Sequence, residues 1–168
     1  MAEDFPRGAG GSYGNSKAAK ELLLEAYRNA YGFELVAIRP ANVFGNGHFW
    51  SGSGGGEKVH AMVTAGVRGE VAKIPSGQTA INEYIYCKDI GALVDAAATA
   101  PQPKQLFFNG GTGELTSFDE IVDCLMDFFP DFRYEVLPGS PGRDRSSRLD
   151  ISAAKDQLGW TPRYDLKS

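Results

Sequence analysis

Apolar and polar positions alternate along this chain in two rhythms. Leu22, Leu23, Ala26, Tyr27 and Ala30 recur at helical spacing, which predicts a helix over 12–31 with Ser12 as its N-cap and Gly32 as its stop. "FELVAIRP" (33–40) is a short apolar run closed by Pro40 and reads as a buried strand. Residues 41–56 hold six glycines and read as a loop. A second helix is expected over 57–69, a strand at 71–75, a turn at 76–79 and a strand at 82–87. A third helix follows over 88–100, ended by Pro101, then a strand over 105–111. The fourth helix, 116–129, carries Ser117 and Glu120 at the spacing of a capping box. A strand at 132–137 and a short helix at 151–159 complete the order. Strands alternating with helices predict an α/β fold.

Composition narrows the class. With 168 residues, 42% hydrophobic, the chain is long enough for a real core. A net charge of −4 supplies no basic field, which argues against nucleic acid as a partner. No apolar run approaches the ~18 residues of a membrane span, and "MAEDFPRGAGG" has no apolar signal-peptide core. Cys87 and Cys124 are too few for a disulfide framework and read as free core thiols. These features predict a cytoplasmic protein with no membrane association. Two histidines, His48 and His60, leave little for metal chemistry, so no metal site is expected.

Candidate chemistry lies in "GGSYGNSKAAKE" (10–21), where Tyr13 and Lys17 stand four apart. The spacing alone is not diagnostic, because Tyr84 and Lys88 repeat it. Local structure separates the two pairs. On a helix, four residues rise about 6 Å and return to the same face. On a strand they span roughly 13 Å, so the heads point to no common ligand. Tyr84 and Lys88 straddle a strand end and read as structural, with Tyr84 and Tyr86 packing on the sheet. A free tyrosine, with pKa near 10, is a poor base at neutral pH. A neighbouring ammonium favours the phenolate, and lowering such a pKa by about 3 units asks for roughly 4 kcal/mol. "GSGGGEK" (52–58) is glycine-rich but follows no strand and lacks the Lys-Ser/Thr of a P-loop, so it reads as a flexible loop.

The stretch 12–45 resembles the extended short-chain dehydrogenase/reductase family, the NAD-dependent nucleotide-sugar epimerases and dehydratases. It carries Y-G-x-S-K with Glu21 four after the lysine, then R-P-x-N-V-F-G as Arg39, Pro40, Asn42, Val43, Phe44 and Gly45. "NEYIYCKDIGALVDAA", with Asp89 opening its helix, "FFNGGTGELTSFDEI" and "RSSRLDISAAKDQLGWTP" are similar to later family segments, in order. The resemblance covers about residues 12–166. It implies that Tyr13 is the catalytic acid/base and that Lys17 orients the cofactor ribose, the cofactor being NAD or NADP. It implies cofactor contacts at Pro40, Ala41 and Val43, and a substrate-diphosphate contact at Asn42, whose other reading is a turn-stabilising asparagine. An arginine of the C-terminal loop would pair with the phosphates: Arg145 by its distance from Asp150, with Arg143 and Arg148 as rivals.

Two departures stand out. Asn82 replaces an arginine common in the family, and Lys88 replaces a common acid. Relatives also place a much longer stretch before the tyrosine, including a G-x-x-G-x-x-G dinucleotide loop. The expected architecture is therefore the C-terminal part of a Rossmann-like, doubly wound sheet plus a small α/β substrate-binding domain, without the N-terminal dinucleotide-binding half. Residues 1–50 would be the Rossmann remnant. Residues 51–168 would be mainly the substrate-binding domain, with some returning Rossmann elements. The expected function is an epimerase or dehydratase acting on a nucleotide-sugar-like molecule, inactive alone. The alternative is a non-catalytic nucleotide-sugar-binding or dimerising fragment. Expected partners are the nucleotide sugar and either a second copy or a separate N-terminal half.

Overall fold

A computed structural model describes residues 1–5, 11–46, 54–101, 103–140 and 147–167. The stretch from Ala37 to Phe44 organises the architecture. Strand β1 (Ala37–Pro40) runs directly into β2 (Asn42–Phe44), but the two pair with different neighbours. β1 pairs in parallel with β5 (Phe107–Gly110), Ala37 opposite Phe107. β2 pairs in parallel with β4 (Tyr84–Tyr86), Asn42 opposite Tyr84. The partner changes between Ala41, whose N–H donates to Gly110 O (2.8 Å), and Asn42, whose N–H donates to Glu83 O (3.1 Å). Successive amides of an extended chain point to opposite edges, so β5 and β4 flank this strand on its two sides. A third parallel pair joins β3 (Val71–Pro75) to β6 (Arg133–Leu137).

Strand alternation divides the interior. Phe44 and Tyr84 face a core built with Met62, Ala65, Ile74, Phe118, Ile121, Val122 and Leu125. These come from α2 (Gly54–Arg68), β3 and α4 (Phe118–Phe128). Val43 and Ile85 face the opposite core, with Leu93 of α3 (Cys87–Thr99), Phe108 of β5, Ala154 of α5 (Ser152–Leu158) and Trp160. Asp89, fully buried, closes that side. Its carboxylate accepts the Arg163 and Tyr164 N–H groups (2.9 and 3.1 Å), and its carbonyl accepts Trp160 Nε1 (3.1 Å).

Helix α1 (Ser12–Tyr31) has the expected bounds and stops at Gly32, φ 72°, whose N–H returns to Arg28 O. That left-handed conformation is cheap for glycine alone. Four expectations are corrected. The N-cap of α1 is Gly11, and no side chain caps the helix, so Ser12 is its first residue rather than its cap. Residues 41–56 are not all loop. Asn42–Phe44 forms β2 because β4 offers it a ladder, a tertiary pairing invisible to local composition. α2 starts at Gly54, three residues earlier than expected, so "GSGGGEK" is helical from Gly54 rather than a flexible loop, and Gly56 is buried. Within 33–40, only Ala37–Pro40 is strand. The capping box of α4 is present: Glu120 N–H donates to Ser117 Oγ (3.1 Å) and Ser117 N–H to Glu120 Oε2 (2.7 Å). The Ser117 N–H and then its hydroxyl hold the Glu120 carboxyl below the usual range.

Candidate active site

Tyr13 and Lys17 occupy the first two turns of α1, and the helical repeat brings them together: Lys17 Nζ lies 5.1 Å from the Tyr13 ring centroid. Both side chains are exposed, Tyr13 at 73%. Ser16 Oγ donates to Tyr13 O (2.7 Å) within the same turn. One turn further along, Glu21 accepts both Arg39 Nε (2.8 Å) and Arg39 Nη2 (2.6 Å). Arg39 also stacks over the Phe107 ring at 4.8 Å and donates to Glu3 O (2.8 Å). A bidentate guanidinium–carboxylate pair has fixed geometry. It ties the helix bearing Tyr13 and Lys17 to the β1–β5 pair.

The repeat of the spacing at Tyr84 and Lys88 is broken up by the fold. Tyr84 is 3% exposed, and burial pushes its phenol up to about 12 against a smaller opposing effect of the Asn82 side chain. Lys88 is exposed at the start of α3, its ammonium over the rings of Tyr86 (5.9 Å) and Tyr164 (5.8 Å). The cation over Tyr84 is Lys58, 5.2 Å from its centroid and 5.6 Å from that of Phe118. Lys58 is 2% exposed and donates to Gln78 O (2.9 Å); burial lowers it to about 8.

Pro40, Ala41, Asn42 and Val43 lie where the strand changes partners. Pro40 is exposed and the other three are half-buried. The Asn42 side-chain Nδ2 donates to Glu83 O (2.9 Å), the same carbonyl that accepts its own N–H. This contact holds the amide against the chain entering β4. Asn82, in the place of the family's arginine, donates to Ala80 O (3.0 Å) and bridges to Thr116. Arg143 and Arg145 lie outside the described residues. Arg148 is exposed, and its carbonyl accepts the Met1 amino group.

One residue at this site escapes a motif-based reading. Glu83, 5% exposed, accepts Gly113 N–H (2.9 Å) on one carboxylate oxygen and Leu149 N–H (2.7 Å) on the other. An acid between Asn82 and the apolar strand residues 84–86 was the available signal. The glycines of "NGGTGE" were its counterpart.

The exposed phenol and ammonium of Tyr13 and Lys17 are of the chemistry that suits a ribose and a reacting hydroxyl. The nicotinamide end of a dinucleotide therefore fits the donor set present here.

The model of the NAD dependent epimerase/dehydratase family matches residues 2–109. The UDP-glucose 4-epimerase of Mycolicibacterium smegmatis is 33% identical over 98% of this chain and 52% of its own length. The dTDP-glucose 4,6-dehydratase of Streptomyces antibioticus is 29% identical over 92% of this chain and 45% of its own. The structure of Thermotoga maritima UDP-glucose 4-epimerase with UDP-glucose superposes with a TM-score of 0.76 at 26% identity, covering 92% of this chain and 49% of that one. The chain thus spans about half the length of the curated relatives it matches, and its parallel α/β architecture is that of Rossmann-fold epimerases and dehydratases. On these grounds the chain belongs to the NAD dependent epimerase/dehydratase family.

Proposed function

We propose that this chain is the catalytic and substrate-recognising portion of an NAD(P)-dependent epimerase or dehydratase acting on a nucleotide sugar. The observation that carries this reading is the meeting of Tyr13 and Lys17 on one exposed face at the start of α1, 5.1 Å apart. The Tyr13 hydroxyl takes up and returns the proton of a sugar hydroxyl as general base and acid. The Lys17 ammonium favours the phenolate during that exchange and holds the ribose of the dinucleotide. The bound dinucleotide supplies reversible hydride acceptance. Pro40, Ala41 and Val43 border the nicotinamide end. Asn42 lies at the substrate diphosphate, with Arg145 or Arg143 as the cationic contact. Residues 1–50 form the Rossmann remnant, and 51–168 mainly the substrate-binding domain.

Turnover requires the part of the family's length that this chain does not span. α1 has no buried residue, and Leu22, Leu23, Tyr27 and Tyr31 are 55–75% exposed apolar side chains. That face supports packing of α1 against that part. Calorimetric titration of the chain with NAD and with UDP-glucose tests the reading. The expected result is saturable binding of UDP-glucose without micromolar binding of NAD. Failure to bind UDP-glucose overturns the substrate assignment, and micromolar NAD binding overturns the need for a second half.

A further inference from the structure

We infer that Arg39 is the positioning residue of the proton-transfer pair: its guanidinium holds the helix face that carries Tyr13 and Lys17 to the strand that continues into Pro40, Ala41, Asn42 and Val43. This rests on the reading just proposed. Tyr13, Lys17 and Glu21 stand at successive four-residue steps of α1. Each step turns the helix about 40° beyond a full circle, so the three side chains share one face. Glu21 is thus a handle on the face where Lys17 Nζ lies 5.1 Å from the Tyr13 ring centroid. Arg39 Nε and Nη2 grip its two carboxylate oxygens (2.8 and 2.6 Å).

The grip is anchored from outside the helix. Nη1 of the same guanidinium donates to Glu3 O (2.8 Å), and its carbon lies 4.8 Å from the Phe107 ring centroid. Each of its three nitrogens is engaged, so it cannot follow α1 without leaving Glu3 and the Phe107 ring. The backbone of Arg39 is fixed too. It lies in β1 opposite Asn109, and two residues on the Ala41 N–H donates to Gly110 O (2.8 Å). One residue therefore has its side chain on the face of the proton-transfer pair and its backbone at the start of the stretch that borders the nicotinamide end. α1 has no side-chain cap and no buried residue, so neither fixes its rotation about its own axis. A half-buried fork contributes orientation more than stability. Orientation matters here because proton removal and hydride transfer act on one carbinol. A misplacement of about 1 Å can cost on the order of a hundredfold in rate.

The full chain alone tests the position of α1. Nitroxides are carried by Lys20→Cys in α1 and Asp95→Cys in α3, both exposed positions, in a Cys87→Ala, Cys124→Ala background. Double electron–electron resonance reads the spread of their separation. Arg39→Lys keeps the charge and loses the fork, and is expected to broaden that spread at least about twofold. Ser117→Ala removes the α4 cap and is the control: it is expected to lower the unfolding midpoint and leave the spread unchanged. An unchanged spread in Arg39→Lys, or equal broadening in Ser117→Ala, overturns the proposal. The chain completed by the N-terminal half of the Mycolicibacterium smegmatis relative, with NAD and UDP-glucose, gives the kinetic readout. Arg39→Lys is expected to lower kcat at least about tenfold, with KM for UDP-glucose within about twofold of the unmodified chain, and Ser117→Ala to change neither. In Arg39→Ala, added guanidinium is expected to restore part of kcat where ammonium does not. Unchanged kcat in Arg39→Lys, a loss carried by KM alone, an equal loss in Ser117→Ala, or recovery that does not distinguish the two cations overturns the proposal. If the unmodified mixture shows no turnover, the proposed function fails, and the positioning of α1 by Arg39 stands or falls on the nitroxide separation.

Discussion

At Gly111 an added methyl would fall 1.9 Å from Glu83 Oε1, so the buried carboxylate or its neighbours would have to shift. Gly111→Ala is expected to lower stability by about 2 kcal/mol or more in urea unfolding, as an overpacked buried position. Gly91→Ala, on an exposed helical turn with nothing within 4 Å of the new methyl, is expected to raise it by about 0.5–1 kcal/mol. Equal effects from the two would contradict the close packing around Glu83. Lys58 gives a pH signature. Burial holds it near 8 in the folded chain, below the ordinary lysine value near 10.5. Below pH 8 both folded and unfolded chains carry the proton, and the fold bears the full cost of the buried ammonium. Between 8 and 10.5 the unfolded chain binds more protons, so stability rises with pH. The melting temperature of the unmodified chain, measured against Lys58→Met, is expected to climb across that window; a decline would refute the burial of a charged Lys58. Residue identity made Tyr13, Lys17, Glu21 and Arg39 legible, since helical spacing and motif order are local. Glu83 was not legible, because its partners lie 30 and 66 positions away. A sequence records an acid and some glycines without saying that they meet.

At the scale of elements, α4 and α1 are stabilised differently. α4 carries its own start signal, and five of its side chains are buried. Ser117→Ala is expected to cost about 1 kcal/mol by removing the cap, read from the shift of the unfolding midpoint. α1 has neither a side-chain cap nor a buried residue, and the bidentate Arg39–Glu21 pair ties it to the sheet. Arg39→Lys keeps the charge but loses the fork. It is expected to increase amide exchange through α1 while leaving α4 unchanged; uniform loosening of both helices would contradict a local tether. The helix bounds of α1, β3 and the α4 cap were readable from periodicity and caps. β2 and the early start of α2 were not. A three-residue strand is set by the β4 ladder beside it, and a helix that begins on glycines runs against their low helix propensity.

For the whole molecule, the chain spans about half the length of its curated relatives and carries Tyr13 beside Lys17 on a helix whose apolar face is exposed. Two tyrosine–lysine pairs at the same spacing were written in the sequence, and the fold distinguishes them. One pair is exposed and adjoining. The other is split, with Tyr84 buried and pushed up to about 12, where it is no base at neutral pH. The most direct measurement is UDP-glucose turnover in the presence of NAD, with the chain mixed with the N-terminal half of the Mycolicibacterium smegmatis relative. Unmodified chain, Tyr13→Phe and Tyr84→Phe are compared. The account predicts turnover for the unmodified chain and for Tyr84→Phe, and a loss of at least about a hundredfold for Tyr13→Phe. Turnover retained in Tyr13→Phe, or lost in Tyr84→Phe with the fold intact, would contradict it.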